Sequence, residues 1–272
     1  MMIHSPHAAA THRWIGRRNL FMTLLTIGGL VILSGTADAQ SGADHYHPLS
    51  QNSPPGQAAA WLNYLRKYDP SWLQPLLIEV PGSGTVEVFS GANHPVGAAP
   101  APALVAANAG HLYRLRISNM EQFPDVEIYP TVELLDRLHP PAGRENDFPI
   151  PVILTADDIR TALGGQLVTR VVYLEQPQLA QVMDPLRREI PQSMTPAENA
   201  LKEADRLGRP MAILRIGGRQ PSPGSPASFY GTGGMIQFRD AADRNEGGAV
   251  VRMKNHAVLQ RTAVGAATGP TR

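Results

Sequence analysis

The chain has 272 residues, 43% of them hydrophobic, which is enough apolar material for a substantial core in one or two domains. Its formal net charge of +1 excludes a strong overall field that would attract nucleic acid or an anionic membrane. The absence of cysteine excludes disulfides, cysteine nucleophiles, thiolate metal sites and cysteine-linked lipid anchors.

The N-terminal segment has the parts of a secretory signal peptide. Arg17 and Arg18 precede an apolar run at 20–34, and a small-x-small sequence ends at Ala39. The pattern predicts cleavage after Ala39, by the general secretory or the twin-arginine route, with 1–39 removed and a periplasmic or secreted mature protein. The alternative is an uncleaved N-terminal membrane anchor, since the uncharged stretch is close to the roughly 20 residues that span a bilayer.

A flexible leader, 40–56, is predicted next because it is rich in serine, glycine, proline, asparagine and glutamine. It contains His45 and His47, whose spacing could chelate a metal ion if a rigid backbone held both rings together. The cost of ordering a flexible segment opposes this, and no third ligand is nearby. We therefore predict no metal site and no cofactor.

Residues 57–75 are predicted to contain an aromatic helix, because Trp61, Leu62, Leu65 and Tyr68 form one apolar stripe at helical spacing. The segment concentrates aromatic residues in a chain that has few of them. A candidate ligand-binding surface consists of Trp61, Tyr64, Tyr68 and Trp72. Such rings can stack on sugars or bind a partner, and the alternative is that the stripe packs on the body of the protein.

The sequence between 76 and 177 predicts a β domain. His111 to Ile117 alternates between apolar and polar positions, which is typical of a half-buried strand with a basic outer face. The stretch 125–134 alternates as well, but Pro130 cannot donate to a ladder, so a break, bulge or edge is expected there. Residues 167–175 are apolar at both alternating sets, which predicts a strand covered on both faces.

An α/β extension is predicted at 178–217. Thr195 and Glu198 fit a capping box that would begin a helix ending near Leu207, and 211–216 reads as a strand. We expect this unit to pack on the sheet, with its strand returning to the existing sheet; the alternative is a small separate unit. The remainder, 218–272, is poor in large apolar residues and is predicted to be a largely disordered tail.

A shorter helix is predicted after Thr155, with Asp157 and Asp158 in its first turn. Adjacent helical residues point about 100° apart, so these two carboxylates should not converge on one site. The complete fold prediction is a mainly β protein, an antiparallel β-sandwich (Ig-like or similar) with a short α/β extension and disordered termini.

Three segments resemble a recurrent group of uncharacterised secreted proteins of planctomycete-type bacteria. They are 126–134, 167–177, and 203–208 together with 213–217. The likeness covers about residues 76–217. It implies export and a coherent core, and it implies no catalytic activity.

These observations favour an exported, non-enzymatic envelope or extracellular protein that acts in structure or partner binding. One alternative is a carbohydrate-binding module that uses the aromatic residues between 61 and 72. A second alternative is a hydrolase with loop-borne groups such as His94, Asp136 and His139, since spacing in sequence cannot exclude a site assembled from loops. The expected partner is an envelope protein or a polysaccharide, and a membrane contact is expected only through 20–34 if the signal is not cleaved.

Overall fold

The structure is a computed structural model. It describes residues 49–66, 68–178, 192–195 and 197–240, and the strand at 253–261 by its backbone. The predicted signal peptide and the His45/His47 pair lie outside the described residues. None of the helices in the described part is long and apolar enough to cross a membrane.

The described chain forms mainly strands, with a few short helices between them. The helices are α1 (Gln57–Arg66), α2 (Ala156–Leu163) and α3 (Ala200–Leu207), with 3-10 turns at Glu145–Asp147 and Ala227–Tyr230. The first strands are β1 (Gln74–Glu79), β2 (Thr85–Phe89), β3 (Gly97–Pro100), β4 (Ala103–Ala107), β5 (His111–Ser118) and β6 (Thr131–Leu134). The others are β7 (Ile150–Ile153), β8 (Gln166–Glu175), β9 (Gln192–Met194), β10 (Gly208–Ile216), β11 (Ile236–Arg239) and β12 (Met253–Arg261).

These strands form two sheets with a shared apolar core. The small sheet has the order β11-β4-β1-β7, and the large sheet has the order β3-β2-β5-β6-β10-β8-β12-β9. Pairing is mostly antiparallel, and the pairs β1/β7 and β12/β9 are parallel. Ile78 and Val105 of the small sheet belong to the same buried cluster as Val88 and Leu115 of the large sheet. The prediction of a mainly β, antiparallel-rich, sandwich-like fold is confirmed.

Strand β5 shows how the alternating sequence positions the two layers. Tyr113, Leu115 and Ile117 are buried in the core between the sheets. Arg114 and Arg116 alternate with them and are half-buried on the opposite face of the large sheet. The predicted half-buried strand with a basic outer face is therefore present, and it brings two guanidinium groups to the face that carries α1.

Strand β8 lies inside the large sheet between β10 and β12, and it is covered on both faces. Val168 and Val172 join the core between the sheets. Val171 and Tyr173 belong to a second buried cluster, which packs against α1 and α3. The two apolar faces predicted from the sequence thus correspond to two separate cores.

The predicted α/β extension contributes to the sheet itself. Strand β10 lies between β6 and β8 and pairs antiparallel with both, so the chain returns to the sheet as a central strand, and α3 packs against that sheet through Ala200, Leu201 and Ala204. Helix α3 begins later than predicted. Thr195 and Glu198 do contact each other, but their side chains interact in one direction only, with the Thr195 backbone N–H and hydroxyl donating to the Glu198 carboxylate at 2.7 Å and 3.0 Å. The N-cap of the helix, however, is Asn199, whose side-chain oxygen accepts from Leu201 N and Lys202 N.

The segment around Pro130 breaks as the missing proline donor requires. Ile128 forms an isolated bridge to Ile117, and β6 begins after the proline at Thr131. The Pro130 carbonyl still accepts a hydrogen bond from Leu115 N at 2.9 Å. The segment predicted as one strand therefore consists of an isolated bridge at Ile128 and the short strand β6, and both pair with β5.

The prediction of a largely disordered tail is wrong for residues 218–240. Phe229 and Tyr230 are buried with Phe89 and Tyr129 in a third apolar cluster, and β11 pairs with β4. Gly231 has φ 111°, and a Cβ there would meet the carbonyl group of Leu112. The glycine-rich sequence therefore allows close packing of this segment on β5, which composition alone does not indicate.

The two adjacent aspartates at the start of α2 have separate roles, as predicted. The backbone N–H of Asp158 donates to Thr155 Oγ1 at 3.2 Å, and the Asp158 carboxylate accepts from Thr155 N at 2.8 Å, which completes a capping box. Asp158 also accepts from the buried Arg170 at 2.8 Å. Asp157 is exposed and pairs with Arg160.

Candidate functional site

Helix α1 is apolar on both of its faces. Its inner face buries Ala58, Ala59 and Leu62 in the second core, against the large sheet. Its outer face exposes Trp61, Tyr64 and Leu65, with relative exposures of 45%, 76% and 50%. We call these last three residues the α1 outer face. Because exposed large apolar side chains that cluster are uncommon on a monomer, this face is the candidate site.

The two aromatic rings of the α1 outer face lie side by side. The ring centroids of Trp61 and Tyr64 are 6.4 Å apart, and the ring planes differ by 27°. Their spacing of three residues places them one helical turn apart on the same side of α1. The pair therefore presents a nearly parallel, solvent-facing aromatic surface.

A groove of about 410 Å3 lies beside these rings. Its lining residues are Leu49, Gln57, Ala60, Trp61 and Tyr64. Four of them come from α1 at helical spacing, and Leu49 comes from the segment that precedes the helix. The lining carries no charged side chain, and its polar side-chain groups are the Gln57 amide, the Trp61 indole N–H and the Tyr64 hydroxyl.

A buried ion pair holds the N-terminal half of α1 on the sheet. Glu133 and Arg215 are 0% and 5% exposed, and Arg215 Nη1 donates to Glu133 Oε2 at 2.6 Å. The other Glu133 oxygen accepts the backbone N–H of Ala59 at 2.8 Å. A carboxylate at this position satisfies one of the unpaired donors in the first turn and complements the positive end of the helix dipole.

The C-terminal end of α1 is also held by polar contacts. Arg66 forms an ion pair with the buried Asp136. The Tyr68 hydroxyl donates to the Leu135 carbonyl at 2.6 Å, and burial raises the pKa of Tyr68 to about 12. Arg209 approaches the same Asp136 carboxylate at 3.5 Å. The helix is thus fixed at both ends, which keeps its outer face in place.

The structure separates the four predicted aromatic site residues. Trp61 and Tyr64 share the exposed face, whereas Tyr68 is half-buried against the cores and Trp72 lies beside the Arg137 guanidinium, 5.2 Å from its ring centre. Helix α1 ends at Arg66, so the helical spacing that would align Tyr68 and Trp72 with the other two stops before them. The structure therefore brings two of the four rings together on one exposed face, and ligand binding by the four residues stays a prediction.

Two features of the groove were missed from the sequence. Gln57, Ala60, Trp61 and Tyr64 follow the spacing i, i+3, i+4 and i+7, so a stripe on the outer side of the helix could have been found. Leu49 could not, because it reaches the groove through tertiary contacts. Its carbonyl accepts a hydrogen bond from Asn199 Nδ2 at 2.8 Å.

The loop-borne groups proposed for a hydrolase do not form a cluster. His94 and His139 are exposed, and the buried Asp136 is engaged by Arg66 and Arg209. Across the described ranges, no hydrogen bond joins any two of the three groups. The same ranges contain no group of three histidine, aspartate or glutamate residues that could hold a metal ion.

Comparisons with protein-family models, with curated proteins and with solved structures find no match to this chain. The resemblance to secreted planctomycete-type proteins therefore stays a hypothesis. Any statement on function rests on the geometry of the α1 outer face and on the sequence.

Proposed function

We propose that this protein is an exported, non-enzymatic binding protein, and that the α1 outer face binds an apolar helical segment of an envelope or extracellular partner protein. The observation that carries this proposal is the exposure of Trp61, Tyr64 and Leu65 on one rigidly held helix. Tryptophan and tyrosine are enriched among the residues that dominate binding energy at protein interfaces.

The shape of the groove supports a helix as the bound element. Ala60 is a small residue between the larger side chains of Gln57, Trp61 and Tyr64, so the stripe has a notch that a single apolar side chain can fill. Helices pack by placing such side chains between the residues of a facing helix. An amphipathic helix that lies along a groove is a recurrent mode of peptide recognition.

The apolar lining favours a protein over a charged ligand. Ala60 of the groove and Leu65 of the α1 outer face are exposed and offer no hydrogen bonds through their side chains, so covering them gives affinity through the hydrophobic effect. The ends of α1 are held by Glu133 and by Asp136, so little conformational entropy is lost when the face is covered.

Export is the second part of the proposal. It is supported by the basic, apolar and small-residue parts of the segment 1–39, and the absence of cysteine does not exclude it, since a large domain can fold without disulfides. We expect the mature protein to begin at Gln40 in the periplasm or the medium. N-terminal sequencing after cell fractionation tests this, and an intact N-terminus in the membrane fraction would contradict it.

Cross-linking at the groove tests the binding function. A photoreactive amino acid replaces Gln57 in the full chain expressed in its native cells, and the cross-linked peptide is identified by mass spectrometry. The same group at Lys202, an exposed position on α3, serves as control. We expect one dominant adduct at position 57, on a partner segment with an apolar helical stripe, that disappears when Trp61→Ala and Tyr64→Ala are added. Equal adduct patterns at the two positions would contradict the proposal.

A carbohydrate is the second candidate ligand, and the near-parallel pair of Trp61 and Tyr64 beside the Gln57 amide favours it. Sugar rings stack on aromatic faces while their hydroxyls bind amides. Binding to a glycan array that is lost in Trp61→Ala and kept in Leu65→Ala would indicate this function. A protein partner should instead be sensitive to both substitutions, since Leu65 extends the apolar surface beyond the rings.

A further inference from the structure

Arg114 differs from the other buried or half-buried arginines of the large sheet. Its Nε donates to the Phe229 carbonyl and its Nη1 to the Tyr129 carbonyl, both at 2.8 Å. Its guanidinium carbon lies 4.2 Å from the centre of the Phe229 ring. Within the described residues no carboxylate forms an ion pair with it, so backbone dipoles and an aromatic ring are its partners.

Three other arginines of the large sheet each pair with a carboxylate. Arg116, two residues along β5, is paired with Glu87. Arg170 is paired with Asp158 at 2.8 Å, and Arg215 with Glu133 at 2.6 Å. A guanidinium withdrawn from water is usually compensated by an anion. Arg114 is the exception among these four.

A second guanidinium lies at the same ring. The guanidinium carbon of Arg219 is 5.4 Å from the centre of Phe229, and the side chain is exposed. Within the described part of the chain, Arg219 forms no ion pair or hydrogen bond. Burial and then the positive charge of Arg219 lower the pKa of Arg114 to about 10, so the two cations repel each other.

We propose that Arg114 and Arg219, brought together at Phe229, form a binding site for an oxyanion, either a phosphate or sulfate group. Two guanidinium groups supply several N–H donors in planar forks that match such oxygens. Two N–H groups of Arg114 are committed to carbonyls, which holds the guanidinium in place and leaves its other donors to the ligand. The bound anion would supply the negative charge that the fold supplies to Arg116, Arg170 and Arg215.

The nearby acidic residues do not supply an anion to Arg114. Glu87 is bound by Arg116, and the carboxylate of Glu127 accepts from the Tyr129 hydroxyl at 2.9 Å. Counting these two carboxylates against Arg114, Arg116 and Arg219 leaves one unbalanced positive charge. This site is separate from the α1 outer face and does not depend on the proposed partner binding.

Thermal unfolding in phosphate tests the proposal, because a ligand that binds only the folded state raises Tm in a saturable way. The probes are sodium phosphate and sodium sulfate, each compared with sodium chloride at equal ionic strength. The decisive variant is Arg219→Gln, since an exposed side chain without hydrogen bonds can be replaced without disturbing the fold. Arg206→Gln, an exposed residue of α3, is the control for the same change in net charge.

We expect phosphate or sulfate to stabilise the wild-type protein and Arg206→Gln equally. Arg219→Gln should weaken the affinity about tenfold, as expected for the loss of a charge-assisted hydrogen bond. Arg114→Lys, which keeps the charge and loses the fork, should weaken it as well while the circular dichroism spectrum stays unchanged. Equal responses of wild type and Arg219→Gln would overturn the proposal, as would a wild-type response no larger than that to chloride.

The same variants identify the molecule that carries the group. Dextran sulfate represents a sulfated polysaccharide, and mixed phosphatidylcholine–phosphatidylglycerol vesicles represent a phospholipid headgroup. Cosedimentation with one of them that Arg219→Gln removes and Arg206→Gln preserves would assign the source. Cosedimentation that both variants preserve would count against the site.

Discussion

Glu133 and Arg215 form an ion pair in the interior of the large sheet, and the same carboxylate receives the backbone N–H of Ala59 in the first turn of α1. Arg215 Nη2 also donates to the Ser53 carbonyl, just before the helix, at 3.3 Å. One buried pair thus connects β6 and β10 with the helix that presents Trp61 and Tyr64. The buried charges therefore hold the helix that carries the exposed face.

Removing one partner of this pair should be strongly destabilising. Glu133→Gln leaves the Arg215 charge buried without an anion, and we expect a loss of about 3–5 kcal/mol in the free energy of unfolding. Urea denaturation followed by circular dichroism measures it. Asp157→Asn, at an exposed pair on α2, is the control and should change stability little. A comparable loss in both variants would contradict the role given to Glu133.

The two faces of α1 should respond differently to truncation. Leu62→Ala removes a fully buried side chain and should cost about 2–5 kcal/mol. Leu65→Ala, one turn away on the outer side, should stay within about 0.5 kcal/mol of wild type. Leu163, which is exposed to the same 50%, provides a matched control for Leu65 in binding assays. If Leu65→Ala destabilised the protein as much as Leu62→Ala, the outer face would be part of the core.

Asn199 should contribute more than Thr195 to the stability of α3. Its side-chain oxygen accepts two backbone N–H groups of the first turn, and its amide donates to the Leu49 carbonyl. Asn199→Ala should therefore cost about 1 kcal/mol or more, as for other N-caps. Thr195→Ala should cost less, because its contact with Glu198 lies on the surface before the helix begins. Thermal and urea unfolding of the two variants compare them directly, and a larger effect at Thr195 would restore it as the cap.

Phe229→Ala tests whether the segment 218–240 is integral to the fold. The ring is 4% exposed and lies among Phe89, Tyr129 and Tyr230. Its removal should cost about 3–5 kcal/mol, as for other buried phenylalanines. Ser228→Ala, at the exposed neighbouring position, is the control. A stability equal to wild type would show that the segment can detach.

Stability should decline at alkaline pH. The pKa of Tyr68 is raised to about 12 in the folded protein, so the unfolded chain loses this proton first, near pH 10. The contribution of the protonated Tyr68 hydroxyl to the free energy of unfolding is therefore complete below about pH 10, and it is lost as the pH rises towards about 12. Tyr68→Phe should lessen the decline in unfolding free energy over that range. An unchanged pH profile in this variant would argue against the burial of the hydroxyl.

The sequence by itself determined several of the strands and their faces, although it missed β3 and β4, which lie in a stretch that its composition predicted to be a loop. Alternation at β5, the two apolar sets of β8 and the lack of an N–H at Pro130 each depend on the period of a strand or on one covalent feature, so they can be read locally. The same holds for the capping of α2 by Thr155 and Asp158. The concentration of Trp61 and Tyr64 on one short segment was also visible, and it drew attention to α1.

Only the tertiary structure decided which strands pair and which side chains meet. It placed β10 between β6 and β8, and it brought Leu49 to the groove and Arg219 to the ring beside Arg114. These contacts join residues far apart in the chain, and their free energy comes from burial that no local pattern records. The end of α1 at Arg66 is the clearest example of a feature that the local sequence pattern did not predict. The end of one helix separates Tyr68 and Trp72 from the exposed rings, and it leaves two aromatic residues where the sequence predicted four.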